Sequence, residues 1–576
     1  MKLFSRGHKT LMSKKFSSML LSATLTWMVV SILSMSDSIV AGVAIDSYAV
    51  AAVTLVTPIY SLSAFFGSLF SIGVPILYTI EMGKFNKEKA DRIFGTGMLL
   101  SILIGSILFI LVNLFGEVYL CSSFPLKEVL SKANEYLYWM RFTILILPLQ
   151  TFIGAMVLSD GDESISNIAN VIQVVGNIIF SIILSKLMGI YGIGLASSLF
   201  YAISIVILFV HFLKKKNSLR LNLYFSLDIL KGVLHYSLID SSSYLFLSIF
   251  VVIVSTFVST KYGPEYLILA SAIMLCREFQ VLFDGIGEAI NPIFSVYVAE
   301  KNHKGLRFAY SLANKAAIIE GICVTIFLML IAPFVPQVLN ISDPMLIHTA
   351  IIAIRLVSLN SIFVSLLYLL TSYYLVIEHI TLGLIVCAMR DVVLSIVLII
   401  ILGGAFNLTG MLVGIAIAPA IAYILLMIYI TLRYGSKDCP LLLSQVEEAK
   451  NYYLFNITTK HDEIISMQKE IEIILNKHSV NKRTISETML LIEEMYVLIS
   501  QMNNNKEVFV ECTVFVHPDG IQIISKDDGV SFDMADENIS TKSLSAYTVS
   551  MYLEKKEFTN RHLTTMSFNC NSFFIN

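Results

Sequence analysis

Between Met12 and Tyr434 the sequence is a succession of apolar runs, each about the 20 residues that a helix needs to cross a bilayer. Twelve such runs lie near residues 17–45, 49–80, 93–115, 132–158, 164–186, 189–213, 229–260, 264–297, 309–332, 346–373, 379–404 and 409–433. The composition agrees: 56% of the 576 residues are hydrophobic and 14% are charged, against about a quarter charged in a soluble domain. A large soluble enzyme and a disordered chain are both excluded. The balance of 40 Lys+Arg against 42 Asp+Glu leaves no global positive field for nucleic acid. Seven scattered cysteines without a CxxC spacing indicate neither a disulfide framework nor a zinc site.

The composition changes near residue 440, at Gly435, Ser436, Lys437, Asp438 and Pro440, after which charges are frequent and no run could span a bilayer. Expected divisions are an N-terminal segment 1–16, a six-helix lobe 17–213, a loop 214–228, a second lobe 229–434, a linker 435–450 and a tail domain 451–576. The first run is too long for a cleaved signal peptide. Basic residues cluster before helix 1 (Lys9, Lys14, Lys15), after helix 2 (Lys84, Lys87, Lys89, Arg92), around the 6–7 connection (Lys214, Lys215, Lys216, Arg220, Lys231) and after helix 8 (Lys301, Lys304, Arg307, Lys315). Lys and Arg are retained on the cytoplasmic side, so both termini and the tail are expected in the cytoplasm of a multi-pass protein of the plasma membrane.

The two sets of six helices echo each other. Helix 2 ends Gly73-Val-Pro75-Ile-Leu-Tyr78 and helix 8 ends Ile290-Asn-Pro292-Ile-Phe-Ser295, each before a charged loop. Repeated halves are the architecture of secondary transporters, with binding near the interface. Polar residues within the apolar runs are then the candidate working groups, because a mid-bilayer carboxylate costs about 3 kcal/mol or more without a partner, a cavity or a proton. Asp37 lies in helix 1, and Asn177 and Ser181 are one turn apart in helix 5. Secondary candidates are Asp240 in helix 7, Arg277, Asp284 and Glu288 in helix 8, and Arg390 in helix 11. Asp284 and Glu288, four apart, would repel if both were ionised; pairing with Arg277 or Arg390 in a wet cleft is the alternative.

Residues 37–100 carry Asp37-Ser-Ile-Val-Ala-Gly42, Ala49-Val-Ala51-Ala52-Val53, Pro58, Gly73 and Asn86-Lys-Glu-Lys-Ala90, followed later by Asn177-Ile-Ile-Phe-Ser181 and Gly189-Ile-Tyr-Gly192-Ile-Gly194-Leu-Ala196-Ser197. Over about 15–434 this resembles the multidrug and toxic compound extrusion (MATE) family of cation-coupled exporters. The resemblance implies twelve helices in two lobes, alternating access, and H⁺- or Na⁺-driven export of amphipathic or cationic organic compounds. Asp37 would be the cation-site aspartate and Asn177 its helix-5 partner. Ser181 stands where many members have a second aspartate, and Ser197 or Ser198 would supply the helix-6 hydroxyl. With one carboxylate fewer, proton coupling through Asp37, or uncoupled and altered transport, gains over tight Na⁺ binding.

The tail reads as α/β: a strand at Tyr453–Thr459, helices at Asp462–Lys477 and Thr484–Met502, a strand at Glu507–Val516, a turn at Pro518-Asp519-Gly520, a strand at Ile521–Ser525, a helix near Ser543–Leu553 and a strand near Leu563–Phe568. Asp527-Asp528-Gly529 after a strand, with Glu493 and Glu494 one helix earlier, resembles the histidine-kinase-type ATPase fold of anti-sigma-factor kinases. Asp527 would meet adenine, Gly529 would let the backbone approach it, and Glu494 would be the base. Leu498 occupies the Mg²⁺-ligand position and offers no oxygen, while Ser543-Leu-Ser545-Ala546 replaces the glycine-rich lid. A degenerate module that regulates transport or binds a cytoplasmic protein is expected, with no cofactor required. No GxxxxGK[ST] loop is present for a primary pump, and the chain is expected not to be an enzyme. A lipid-linked substrate flippase on the same architecture, or a receptor signalling through the tail, are the alternatives.

Overall fold

The computed structural model describes residues 10–84, 86–214, 217–220, 224, 226–437, 439–532, 545, 547, 549, 558–563 and 568–575. Among the described residues fifteen α-helices precede the tail: α1 (Leu11–Ala44), α2 (Ser47–Gly83), α3 (Lys87–Ser122), α4 (Lys127–Ser159), α5 (Glu163–Met188), α6 (Ile190–Phe209), α7 (Leu227–Tyr262), α8 (Leu267–Gln280), α9 (Asp284–Ala299), α10 (His303–Ile331), α11 (Val335–Val338), α12 (Pro344–Ser358), α13 (Ser361–Val376), α14 (Ile380–Ala388) and α15 (Leu394–Tyr434). Among the described residues ten helical stretches are long and apolar enough to cross a membrane, or eleven if α12 and α13, bent by 43°, form one span. The eighth predicted span is an interrupted helix, Pro264–Ala299, with 3₁₀ turns at Pro264–Tyr266 and Val281–Phe283. The last stretch, Ile380–Tyr434, has 55 residues and breaks at Phe406 and Asn407.

That break has a counterpart. Asn407 has φ 55°, ψ −144°, and Gly189, between α5 and α6, has φ 63°, ψ −142°. Only glycine adopts such a conformation freely, with asparagine the next most tolerant residue. Three residues on, each junction carries a glycine: a Cβ on Gly192 would lie 2.2 Å from the Leu184 carbonyl oxygen, and one on Gly410 2.1 Å from that of Leu402. The chain turns back on itself in the same way at both places. Gly192→Ala and Gly410→Ala should each destabilise the protein by about 1–3 kcal/mol, seen as a lower midpoint in detergent thermal unfolding.

The described chain divides into two compact units. One comprises residues 24–284 and 316–429; the other gathers residues 1–23, 285–315 and 430–576. The second contains the tail, with strands β1 (Tyr452–Thr458), β2 (Phe509–His517), β3 (Gly520–Asp527), β4 (Phe558–Leu563) and β5 (Phe568–Ile575) and helices α16 (His461–Lys477) and α17 (Lys482–Met502). The sheet is antiparallel in the order β1-β2-β3-β5-β4. Alternation sorts its faces: Val510, Cys512, Val514, Ile521 and Ile523 join Ile464, Met467, Ile471, Ile492, Met495 and Ile499 of the two helices in one core.

The predicted strand at Leu563–Phe568 is corrected to two strands, β4 and β5, on either side of that position. Of the predicted helix near Ser543–Leu553, Ser545, Tyr547 and Val549 are helical; the remainder, including Ser543, Leu544 and Ala546 of the proposed lid, lies outside the described residues. Burial pushes the Cys512 thiol up to about 12, against a weaker opposing hydrogen bond from Tyr496. Since the thiolate is the reactive form, Cys512 should resist maleimide at pH 8 until the tail is unfolded, which peptide mass mapping of alkylated protein would show.

Candidate functional site

Helix α5 has the polarity of a membrane helix turned inward. Its buried positions Ala169, Gln173, Asn177, Ser181 and Ser185 recur every fourth residue, while Ile168, Val171, Val175, Ile179, Phe180 and Ile183 are exposed. Against this stripe Ser197 of α6 accepts a hydrogen bond from Asn177 Nδ2 at 2.8 Å and donates to Asp37 Oδ2 of α1 at 3.1 Å. The structure therefore joins Asp37, Asn177 and Ser197 in one chain of contacts. Ser198 is directed elsewhere, donating to the Trp139 and Gly194 carbonyls.

Sequence reasoning missed Tyr136 of α4, whose hydroxyl donates to the same Asp37 Oδ2 at 2.6 Å. Both donors fall on one carboxylate oxygen. The other, Asp37 Oδ1, is buried without a hydrogen-bond partner among the described residues, as is Ser181 Oγ. An orphaned carboxylate oxygen deep in an apolar domain suits a proton or a small cation. One carboxylate with neutral oxygens around it suits a proton better than a hard cation, which collects several oxygens.

The secondary candidates form a different grouping. Arg390 Nε and Nη2 donate to Asp391 Oδ1 and Oδ2 at 2.8 and 2.7 Å, and Arg277 Nη2 reaches Asp391 Oδ1 at 3.5 Å. The two arginines thus share Asp391, which stands next to Arg390 on a π-helical turn at Met389–Val393. Asp240 and Glu288 are exposed, and Asp284 is half-buried.

In the tail, Asp527 is buried at the end of β3, where its Oδ1 accepts from Gly529 N at 3.0 Å and from Asn569 Nδ2 at 2.9 Å. Glu493 is exposed and Glu494 half-buried on α17, while Leu498 is packed in the tail core. Leu498 does not fit a Mg²⁺ ligand. Among the described residues no group of three or more His, Cys, Asp or Glu side chains could hold a metal ion.

The sheet face turned away from α16 and α17 carries a buried charge cluster. Glu511 and Lys526 are directly opposite in the β2–β3 register. Lys526 Nζ lies 2.9 Å from Glu511 Oε1 and 2.7 Å from Glu300 Oε1, just beyond α9, and the Tyr297 hydroxyl of α9 donates to Glu511 Oε2 at 2.6 Å. Burial alone would depress the Lys526 ammonium, but the two carboxylates hold it above the usual lysine range. Lys14 of α1 adds an ion pair to Asp528 at 2.6 Å.

The MatE family model matches residues 23–183, the stretch that contains Asp37, Tyr136, Asn177 and Ser181. The structure superposes on an inward-facing multidrug resistance MATE family transporter of the MOP superfamily with a TM-score of 0.65 at 22% identity, covering 73% of this chain and 99% of that one. The fold is that of a MATE transporter. The MATE multidrug transporter DinF-BH in complex with R6G gives 0.61 at 20% identity over 73% and 96% of the two chains. A MATE protein in complex with MaD3S gives 0.57 at 21% identity over 74% and 98%. No curated protein matches the chain in sequence. The first two of these solved structures are of multidrug transporters.

Proposed function

We propose that this chain is a proton-coupled exporter of amphipathic or cationic organic compounds that works by alternating access. The observation that carries this reading is the unpartnered, buried Asp37 Oδ1 beside an otherwise satisfied carboxylate oxygen. A proton would bind at Oδ1, while Tyr136 and Ser197 hold the carboxylate in place from the other side. Ser181, where a second acid would strengthen Na⁺ binding, supports H⁺ over Na⁺. The substrate class follows the multidrug transporters of the same fold, one of them bound to R6G.

Twelve spans in two six-helix lobes fit the helices best, with the bent α12–α13 pair as one span and the break at Asn407 dividing the last stretch into two. The matching turns at Gly189 and Asn407 then occupy equivalent places in the two lobes. The Lys and Arg bias supports both termini in the cytoplasm, and an exporter of this kind would work in the plasma membrane. The tail we read as a regulatory module of degenerate ATPase type, free to bind a cytoplasmic protein. Its hold on transport is the Lys526 cluster, which ties the sheet to the end of α9.

Purified protein in liposomes loaded with a fluorescent organic cation tests the reading. Efflux should follow an imposed pH gradient and ignore a Na⁺ gradient of equal size. Efflux driven by Na⁺ alone would overturn proton coupling, and no efflux under either gradient would turn the reading toward a flippase or receptor.

A further inference from the structure

A second polar site lies away from Asp37, in a pocket lined by Arg277, Gln280, Asn360, Tyr368, Arg390 and Asp391 among others, with about 360 Å³ of space between atoms, part of it open to solvent. Its charge does not balance. Within the lining two guanidiniums share the one carboxylate of Asp391; Asp240 attracts Arg390 from outside the lining. Arg390 is 2% exposed and held on three sides: by both oxygens of Asp391, by Ser243 Oγ at 3.0 Å and by the Tyr368 ring, 3.6 Å from the guanidinium carbon to the ring centre. Its Nη1 has no hydrogen-bond partner among the described residues. A buried charged donor left unmet is costly, and an excess positive charge in an apolar surrounding more so. Arg277 adds a second cation, stacked 4.0 Å over the Phe250 ring.

We propose that this pocket binds a small monovalent anion, a halide or the carboxylate end of an organic acid, between Arg277 and Arg390. The anion would accept from Arg390 Nη1 and cancel the excess charge. Asp391 both orients Arg390 and competes with the anion for it. The site is distinct from Asp37 and does not depend on which ion drives transport.

The test uses the purified full-length protein in detergent, with chloride or acetate replacing gluconate at constant ionic strength. Each anion that binds should raise the unfolding midpoint saturably, and equilibrium binding of radiolabelled chloride to the wild-type protein gives a readout independent of any variant. Chloride alone would identify a halide site, acetate alone a carboxylate site, and both a site selective only for charge and size. Arg390→Gln and Arg277→Gln should each weaken binding by about ten- to hundredfold, the worth of a charged hydrogen bond. Should Arg390→Gln fail to fold, Arg390→Lys keeps the charge and loses the fork, and should still weaken binding. Asp391→Asn should tighten it, an opposite sign that a purely structural ion pair would not give. No saturable response to either anion in the wild-type protein, or an undiminished response in folded Arg390→Gln and Arg277→Gln, would overturn the proposal.

Discussion

Asp37→Asn should abolish proton-driven efflux while leaving the protein folded. The carboxamide is nearly isosteric, and its oxygen can accept from Tyr136 and Ser197 as Asp37 Oδ2 does. The amide nitrogen then takes the place of Oδ1, which has no partner among the described residues. Neither hydrogen bond need break, so the change in stability should stay near about 1 kcal/mol. What disappears is the group that exchanges a proton. Gradient-dependent efflux from liposomes should fall to the level of protein-free vesicles, while substrate exchange at equilibrium persists. Tyr136→Phe is the companion: it keeps the charge, removes the 2.6 Å hydrogen bond, and should slow efflux without uncoupling it. If Asp37→Asn exports as fast as the wild type under a pH gradient, coupling lies elsewhere, with Asp240, Asp284 and Glu288 the next acids to test.

Much of this was legible in the sequence because a bilayer permits few arrangements. Runs of about 20 apolar residues must be helices, and Asp37 and Asn177 stand out as polar groups within such runs; Ser197 comes only from the family resemblance, as an alternative to Ser198. Tyr136 did not stand out: tyrosine is amphipathic and common in membrane helices, and this chain has 26. Arg390 beside Asp391 reads as a structural pair from the sequence, but that Arg277 reaches the same carboxylate does not, because it lies 114 positions away. In the tail, the predicted last strand stops at Phe568, because Asn569 and Asn571 interrupt the apolar residues of β5, yet both are buried, and Asn569 is spent on Asp527. Glu511 and Lys526 have the alternation of a solvated sheet face. Their burial depends on Glu300 and Tyr297, more than 200 positions earlier in the chain, and no local pattern carries that information.

Lys526→Met should be the most damaging single change in the tail. Lys526 and Glu511 side chains are each 1% exposed and Glu300 11%, so among the described residues the ammonium is the cation holding both buried carboxylates. Removing it leaves Glu300 and Glu511 facing each other without compensation, and breaking a buried pair in this way costs about 3–5 kcal/mol. Limited trypsin digestion of the full-length protein should then release tail fragments far faster than from the wild type. Glu300→Gln, by contrast, leaves Lys526 paired one-to-one with Glu511 and should be much milder. Exchanging all three together, Lys526→Met with Glu300→Met and Glu511→Leu, should recover most of the lost stability, because apolar packing commonly replaces a buried ion cluster without loss. The pH dependence has a definite sign. Lys526 is held above the usual lysine range, so its contribution is complete below the unfolded value of about 10.4 and is lost only as pH rises through the folded value. Between pH 6 and 9 the difference between wild type and Lys526→Met should therefore show no decline attributable to the lysine. Equal trypsin sensitivity of the two proteins would mean that the cluster does not hold the sheet to α9. A change in the efflux rate of Lys526→Met with Asp37 intact would make the same cluster the route by which the tail acts on transport.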